Sequence, residues 1–550
     1  MGADTAEAPV SASTSRWANR ALGVVCVATI GFLMVQILCF GYGRDQGIYA
    51  MVARAVLRGE MPYRDAWDFK PPGIFLIYAV ARAVFGTSQV GIRVIEVAGL
   101  AAMAVGMVRL AERWWGEPRI GLIAAALSVL VHAQLEFWHT AQPESFGGMI
   151  TIGALLCASA ARDDLQRRRR IGVWIASGAL FGVAGLLKPP LVGGAGVVGL
   201  ALAWAEWKDA PKRDGRAALR AAAIPIAAVG GGVLLPIAVC AAWFAARGAI
   251  ADLYDVLVLF TPHYTALSWE GVTVGGMLYE GFTEWLTNYN SLVTAGLLLL
   301  LALRPSPRER AGVAVLLGVI VIHIVGVAMQ GKFFPYHYGA TWPLTAMLSA
   351  LGIWKIWELA ARRGTVGLAL FAGLMIALAT GRSATKDVRH SFLERCRQRV
   401  QLLARGGHDV AELDRLASVA DVNAAANRGV AELLRARTPP DRPVFVWGFE
   451  PVIYDLAERA PASRFLYDVP QRVSWAKEGM RTLLMRDLAA RSPSAIVVEH
   501  RDVFPMVTGD FLDSADTLVD FTELSALLES RFELVATIED FDVYLTKGGR

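Results

Sequence analysis

The sequence predicts a mainly α-helical, polytopic membrane protein with about eleven spans, followed by an exported α/β domain. Hydrophobic residues make up 55% of the 550 residues and charged residues only 19%, and the mean hydropathy of +0.43 is too high for a soluble protein of this size. Apolar runs of about 20 residues, the length that crosses a bilayer, recur from near the N-terminus to about residue 380. From Arg382 onward charged residues are frequent and no apolar run is long enough to span, which predicts one soluble domain.

The apolar runs divide the first part of the chain into candidate spans. No convincing cleavage site follows the first run, so we interpret it as a retained span and residues 1–20 as a cytoplasmic tail. The predicted spans are 21–41, 89–112, 120–138, 144–162, 171–187, 190–206, 219–246, 288–303, 312–329, 339–358 and 364–380.

Basic residues predict the orientation of these spans. With the N-terminus inside, every short basic connection falls on the cytoplasmic side, as the positive-inside rule requires. An odd number of spans then places residues 381–550 outside, as a periplasmic or extracellular α/β domain that follows a membrane domain of residues 21–380. We expect a multi-pass protein of the cell inner or plasma membrane with no nucleic-acid partner, because these loops explain the net charge of +5. The basic connections contain Arg162, Arg167, Arg168, Arg169, Arg170, Lys208, Lys212, Arg213, Arg216, Arg304, Arg308, Arg310, Arg362 and Arg363.

The first outer connection, residues 43–88, is too long for a plain linker and has a helical pattern. Apolar residues follow Asp45 at one-face spacing until Gly59, which predicts a helix along the membrane interface. A second helix too short to span begins at Pro71 and Pro72.

Strand-like runs alternate with helical sequence in the last domain. RPVFVWGFEP, SAIVVEH and ELVATIEDFDVYLT are apolar runs bounded by turn residues, and helical sequence fills about residues 386–437. This alternation predicts a small α/β layer fold.

Two residues of the outer connection are candidates for chemistry. Asp45 lies just beyond the first span, where a carboxylate can act as general base toward an incoming hydroxyl; the alternative is an N-cap of the interfacial helix. Lys70, in YRDAWDFKPPG, can pair with a lipid phosphate; the alternative is an interface lysine whose charged end reaches water. We place Asp68, from the same segment, with Lys70 among the candidate substrate-binding residues.

Further candidates lie at the predicted outer ends of later spans. Glu144 is a carboxylate at a membrane edge, a costly placement that indicates a partner, although a first-turn acid that favours the helix dipole is the alternative. Lys188, in GLLKPPL, and His337 with Tyr338, in FFPYHYGATWP, are placed to face a phosphate leaving group. Each is also typical of a helix-end anchor.

The sequence gives a weak metal signal. His139, Glu144, His263 and His337 come from separate loops without HExxH spacing. The five cysteines include no CxxC pair.

The shared side of these residues favours one function. The predicted topology brings Asp45, Lys70, Glu144, Lys188 and His337 to the outer interface, with carboxylates for a hydroxyl acceptor and cations for a phosphate donor. This is the chemistry of glycosyl transfer from a lipid-linked donor. The alternatives are a lipid-linked-sugar flippase or transporter, against which the acids lie at one surface rather than the midplane, and a non-catalytic assembly protein.

The run GYGRDQGIYAMVARAVLRGEMPYRDAWDFKPPGIFLIYAVARAVFG resembles the first outer loop of the GT-C glycosyltransferases. The likeness is to the family 39 type, which includes protein O-mannosyltransferases and lipid A aminoarabinose transferases. The acid, the RGExPYRD turn and the KPPG segment occur together and in order. VWGFEPVIYDLAERAPASRF is similar to exported α/β domains of bacterial members. The resemblance implies the polytopic GT-C fold.

The resemblance also implies roles for single residues. Asp45 matches the family's catalytic or acceptor-orienting acid, and Glu144 matches a second acid near the acceptor. Lys70 matches a lysine that contacts the carrier-lipid phosphate, and His337 and Tyr338 resemble a pair that helps to hold it. The implied donor is a polyprenyl-phosphate sugar, the implied acceptor is a hydroxyl of a protein, lipid or glycan, and the anomeric centre is inverted.

One departure from the family concerns metal. Phe69 stands where many relatives have a polar residue, and Asp68 is offset by one position from the acid that binds a divalent ion in some of them. We therefore predict no metal ligands, with a divalent ion as the open alternative.

Overall fold

The computed structural model describes residues 12–160, 167–210, 215–287, 291–380, 392–405, 410–417 and 422–548. The fold is mostly helical with a small C-terminal sheet, as the sequence predicts. The helices of the first part are α1 (Ala12–Leu38), α2 (Arg44–Leu57), α3 (Gly73–Phe85), α4 (Val90–Trp115), α5 (Pro118–Gln134), α6 (Glu136–His139), α7 (Pro143–Ala160), α8 (Arg167–Leu187), α9 (Gly193–Asp209), α10 (Gly215–Ala246), α11 (Ile250–Tyr254), α12 (Thr261–Ala266), α13 (Val274–Thr287), α14 (Ser291–Leu303), α15 (Arg310–Gln330), α16 (Trp342–Arg362) and α17 (Gly364–Thr380). Short 3-10 helices cover Pro189–Val192 and Pro335–Tyr338, and a π-helix covers Asp255–Phe260.

Each predicted span overlaps helix in its described residues, with 161–162 and 288–290 lying outside them, but fewer helices than expected qualify as spans. In the described ranges, 7 helices are long and apolar enough to cross a membrane, or up to 8 if α13 and α14, bent by 109°, form one span. The helices α5 and α17 are apolar but short. The 7 helices lie in α1, α4, α8, α9 with its preceding 3-10 turn, α10, α15 and α16.

The orientation and the domain boundary remain predictions. Arg162, Lys212 and Arg213, which are part of the evidence for the cytoplasmic loops, lie outside the described residues, and so does the boundary at residue 381.

Small residues let neighbouring membrane helices approach closely. A Cβ at Gly178 of α8 would lie 2.0 Å from the Val229 carbonyl oxygen of α10. Only glycine fits there, because any side chain would push the two backbones apart. This close contact replaces the hydrophobic effect, which does not drive helix association inside lipid.

The outer connection forms the two short helices that its pattern predicts, α2 and α3. Asp45 is not the N-cap of α2: the N-cap is Gly43, whose backbone N–H donates to the Gln46 side chain at 3.0 Å. The carboxylate of Asp45, in the first turn, is therefore available for other contacts. Residues 46–53 of α2 are all buried, so this helix is covered by protein rather than lying open along the interface.

The C-terminal domain is a small α/β layer structure. Its strands are β1 (Val444–Trp447), β2 (Ala495–Glu499), β3 (Phe532–Ile538) and β4 (Phe541–Thr546). The sheet has the order β1-β2-β4-β3, with β1 and β2 parallel and the other pairs antiparallel. The last predicted strand run is a hairpin, because the chain turns at Glu539, which has a positive φ of 50°. The helices are α18 (Phe392–Ala404), α19 (Val410–Ala417), α20 (Ala424–Arg437), α21 (Val452–Ala457), α22 (Val469–Arg472), α23 (Lys477–Ala490), α24 (Pro505–Thr508), α25 (Ser514–Thr517) and α26 (Thr522–Arg531).

This domain packs directly on the outer connection. The Arg82 guanidinium of α3 donates to both carboxylate oxygens of Asp455 at 2.9 and 3.0 Å, and both side chains are buried. Gly47 of α2 lies against Val452, since a Cβ on Gly47 would be 2.8 Å from the Val452 backbone nitrogen. The domain therefore covers α2 and α3 and fixes their positions.

Candidate active site

Asp45 and Lys70 form one pair of the site. They come from the first turn of α2 and from the segment just before α3, and the two helices pack together. The Lys70 Nζ lies 3.9 Å from Asp45 Oδ2, and the side chains are 14% and 19% exposed, which leaves both accessible to a substrate. Burial opposes the charged form of Lys70, but Asp45 and other nearby groups raise its pKa overall, so the lysine is charged.

Two neutral residues that the sequence did not single out hold Asp45. The Gln142 side-chain N–H donates to Asp45 Oδ2 at 3.1 Å, and the Tyr49 hydroxyl donates to the side-chain oxygen Oε1 of Gln142 at 2.9 Å. A side-chain hydrogen bond also links Tyr336 to Asp45. The signals for these residues were their neighbours, since Gln142 is two positions before Glu144 and Tyr336 is one before His337.

Glu144 and Lys188 form the second pair. Glu144 is the second residue of α7, and Lys188 follows the last residue of α8, which packs against α7. The Lys188 Nζ lies 2.6 Å from Glu144 Oε1, and the Glu144 side chain is only 2% exposed. This lysine is the partner that the costly placement of Glu144 indicates. The carboxylate also lies in a first turn, so the helix-dipole explanation holds as well.

Three lysines line one cavity of about 190 Å³. Lys70 and Lys188 are among the predicted residues, whereas Lys332 is new. The Lys332 ammonium group contacts the Met506 carbonyl oxygen of the C-terminal domain, and burial lowers its pKa to about 8. The cavity is lined by Phe69, Lys70, Pro71, Lys188, Pro189, Pro190, Leu257, Thr261, Tyr264, Thr265, Gln330, Lys332 and His337. This arrangement of ammonium groups in a largely apolar cavity suits an anionic group carried on an apolar chain.

His337 lines the cavity as a neutral ring. Burial and the nearby Lys188 and Lys70 lower its pKa well below the usual value. Its Nδ1–H donates to the Lys332 backbone carbonyl, which leaves Nε2 as an acceptor. In this state His337 orients the backbone of Lys332 and has no second N–H to offer to a phosphate.

Four of the predicted residues are not among those that line this cavity: Asp45 and Glu144, which contact the lining lysines Lys70 and Lys188, and Tyr338 and Asp68. The Tyr338 hydroxyl donates to the Gly281 carbonyl oxygen at 3.0 Å. Asp68 is buried and its Oδ1 accepts from the Tyr467 hydroxyl at 2.7 Å. Burial raises the pKa of Asp68 to about 6, with Lys70 opposing the shift, so the carboxyl is ionised near pH 7.

The residues at this site do not fit a divalent cation. Asp45 and Glu144 each face a lysine, whose positive charge disfavours a cation beside the same carboxylate. His139 stacks on Tyr336 with ring centroids 5.2 Å apart. Among the residues that the structure describes, no group of three or more His, Cys, Asp or Glu side chains could hold a metal.

Known proteins share this fold. The structure of ArnT from Cupriavidus metallidurans in the apo state is similar to this one. The match covers 95% of this chain and 97% of the ArnT chain, with a TM-score of 0.54 at 15% sequence identity. The chain has the GT-C fold. The structure of ArnT bound to undecaprenyl phosphate matches the same fractions of the two chains, with a TM-score of 0.51 at 15% sequence identity. The match to the Archaeoglobus fulgidus oligosaccharyltransferase is weaker. It covers 86% of this chain and 69% of that protein's chain, with a TM-score of 0.44 at 12% sequence identity.

The sequence comparison is more limited. The family model described as dolichyl-phosphate-mannose-protein mannosyltransferase matches residues 69–213 of the GT-C chain. This match includes Lys70, Glu144 and Lys188 and begins after Asp45. No curated protein matches the chain by sequence.

Proposed function

We propose that this GT-C protein is a membrane glycosyltransferase that moves a sugar from a polyprenyl-phosphate donor to a hydroxyl group at the outer membrane face. The observation that carries the proposal is the cavity lined by Lys70, Lys188 and Lys332, with the carboxylate of Asp45 3.9 Å from Lys70. Cations for a phosphate and a base for a hydroxyl thus occur together.

In the proposed reaction, Lys70 holds the donor phosphate with help from Lys188 and Lys332. Asp45 accepts the proton of the acceptor hydroxyl as its oxygen bonds to the anomeric carbon. The bond from that carbon to the phosphate oxygen breaks, and the polyprenyl phosphate leaves with the electron pair. The lysines stabilise the charge that develops on the leaving oxygen. Attack from the side opposite the phosphate inverts the anomeric centre.

Glu144 has a different role in this proposal. Because it is buried and paired with Lys188 at 2.6 Å, it holds the ammonium group toward the cavity. Neither Gln142 nor Tyr336 is a base; both orient the Asp45 carboxylate through hydrogen bonds.

The comparisons support the class of donor. The family model is named for a dolichyl-phosphate sugar, and the similar ArnT structure contains undecaprenyl phosphate. Both names describe a polyprenyl chain with one phosphate.

Donor class is tested with the full-length protein in vesicles. Polyprenyl-phosphate sugars labelled in the sugar, the matching diphosphates and the nucleotide sugars are each supplied with a membrane extract as the source of acceptors. We expect label to enter the extract only from the monophosphate donors. Label that crosses the bilayer while still attached to the polyprenyl phosphate would contradict the proposal and support a flippase. Label transferred only from nucleotide sugars would contradict the proposed class of donor.

Lys332 sets an upper pH limit for donor use. A lysine is charged below its pKa, so the positive charge of Lys332 is lost as the pH rises through about 8. We expect kcat/KM for the donor to fall above this pH by about tenfold, the effect of one hydrogen bond to a charged group. Lys332→Arg keeps the charge and should move the fall to higher pH. An identical fall in wild type and variant would assign it to another group.

A further inference from the structure

The segment before Lys70 is attached to the C-terminal domain. The Trp67 backbone N–H donates to the Arg464 carbonyl oxygen at 2.8 Å, which forms a short parallel bridge beside Phe465. The Trp67 ring packs on the rings of Phe465 and Tyr467, with centroids 6.0 and 5.9 Å apart. The backbone and the side chain of Trp67 are thus both held by residues 464–467 of the C-terminal domain.

The next residue makes the most specific contact. Asp68 is 1% exposed, and its Oδ1 accepts the hydrogen bond of the Tyr467 hydroxyl at 2.7 Å. The charged groups that act on Asp68 are Lys70 and Asp45. A buried carboxylate needs such a donor, because an ionised group without hydrogen bonds is costly inside a protein. On the other side of Lys70, its backbone carbonyl accepts from the Tyr63 hydroxyl at 2.8 Å.

The domain also reaches the rest of the site. Arg44, which precedes Asp45, pairs with Glu450 at 3.0 Å, and Glu450 lies between β1 and α21. The Lys332 ammonium contacts the Met506 carbonyl oxygen in α24. The C-terminal domain thus contacts a neighbour of Asp45, a neighbour of Lys70, and Lys332 itself.

We infer that the C-terminal domain is a positioning element of the donor site, in which Tyr467 holds Asp68 and thereby sets the place of Lys70. The inference rests on the proposed function for the identity of the donor. Tyr467 does not line the cavity, so it acts through the segment of residues 67–70 rather than on the substrate. The C-terminal domain is accordingly part of the donor site and not only an appendage that binds partners.

Tyr467→Phe in the full-length protein tests this role. The change removes one hydroxyl and keeps the ring that packs on Trp67. We expect the donor KM to rise about tenfold, the effect of losing a hydrogen bond to a charged group. A smaller fall in kcat accompanies this rise, because Lys70 also stabilises the leaving phosphate, whereas Asp45 keeps its hydrogen bond from Gln142. Tyr544→Phe, on β4 of the same domain, is the matched control and should leave both constants unchanged.

A double-mutant cycle separates positioning from simple stability. If Tyr467 acts through Asp68, Tyr467→Phe combined with Asp68→Asn should raise the donor KM no further than Asp68→Asn alone. Additive effects, an unchanged KM in Tyr467→Phe, or a loss confined to kcat would overturn the inference. If the wild-type protein neither binds polyprenyl phosphate nor transfers sugar from it, the proposed function fails instead, and the two failures are distinct.

Discussion

Asp45→Asn is expected to lower the rate of sugar transfer by about 10²- to 10⁴-fold, the usual contribution of a general base. Asparagine keeps the size of the side chain and can still contact Gln142 and Tyr336, but it cannot accept a proton. The donor should bind as well as before, because the three lysines of the cavity remain. The measurement is transfer in membranes from a polyprenyl-phosphate donor, together with direct binding of polyprenyl phosphate.

Asp65→Asn provides the control for this change. Asp65 belongs to the same outer connection, but its carboxylate pairs with Arg64 at 2.9 Å and not with a lysine of the cavity. Its replacement should leave transfer near the wild-type rate. Full transfer by the Asp45 variant would remove this carboxylate from the mechanism, and loss of donor binding would assign it to binding instead of proton transfer.

Lys70→Met is expected to weaken donor binding by about 10- to 100-fold, the range for loss of a hydrogen bond to a charged group. Methionine has a similar length and tolerates the apolar surroundings of Phe69 and Pro71, so the cavity should keep its shape. Binding is weakened rather than abolished because Lys188 and Lys332 still line the cavity. The rate also falls, since Lys70 stabilises the leaving phosphate.

The affinity for polyprenyl phosphate in detergent measures the effect on binding. Lys477→Met, a change of a partly exposed lysine that pairs with Asp520 at 3.3 Å, is the control and should bind like wild type. An Lys70 variant with wild-type affinity would show that the phosphate lies elsewhere. Equal weakening by both changes would indicate a nonspecific effect of net charge.

Hydropathy predicted the membrane helices, and the one-face spacing of apolar residues predicted the two helices of the outer connection, because these patterns depend on solvent more than on partners. They also predicted that Asp45, Lys70, Glu144 and Lys188 share one side. Which acid faces which lysine was not predictable. The 2.6 Å contact of Glu144 with Lys188 depends on how α7 packs against α8, and periodicity contains no information about this packing.

Neutral and distant partners were the other residues that sequence reasoning missed. Gln142 and Tyr336 carry no charge, so their roles became visible only from their hydrogen bonds to Asp45. Lys332 directly precedes the run FFPYHYGATWP that contains His337, and it belongs to no motif. Tyr467 is 399 positions from Asp68, and no local pattern relates residues so far apart.

That separation has a consequence for biosynthesis. Ribosomes add about 5 to 20 residues per second, so Tyr467 is made about 20 to 80 seconds after Asp68, its partner 399 positions earlier. Over that interval the early helices enter the bilayer while the segment before Lys70 still lacks its tyrosine. A chain released early by a stop codon before residue 467 would thus sit in the membrane with the predicted base and lysines but with an unassembled donor pocket, and would not use the carrier lipid.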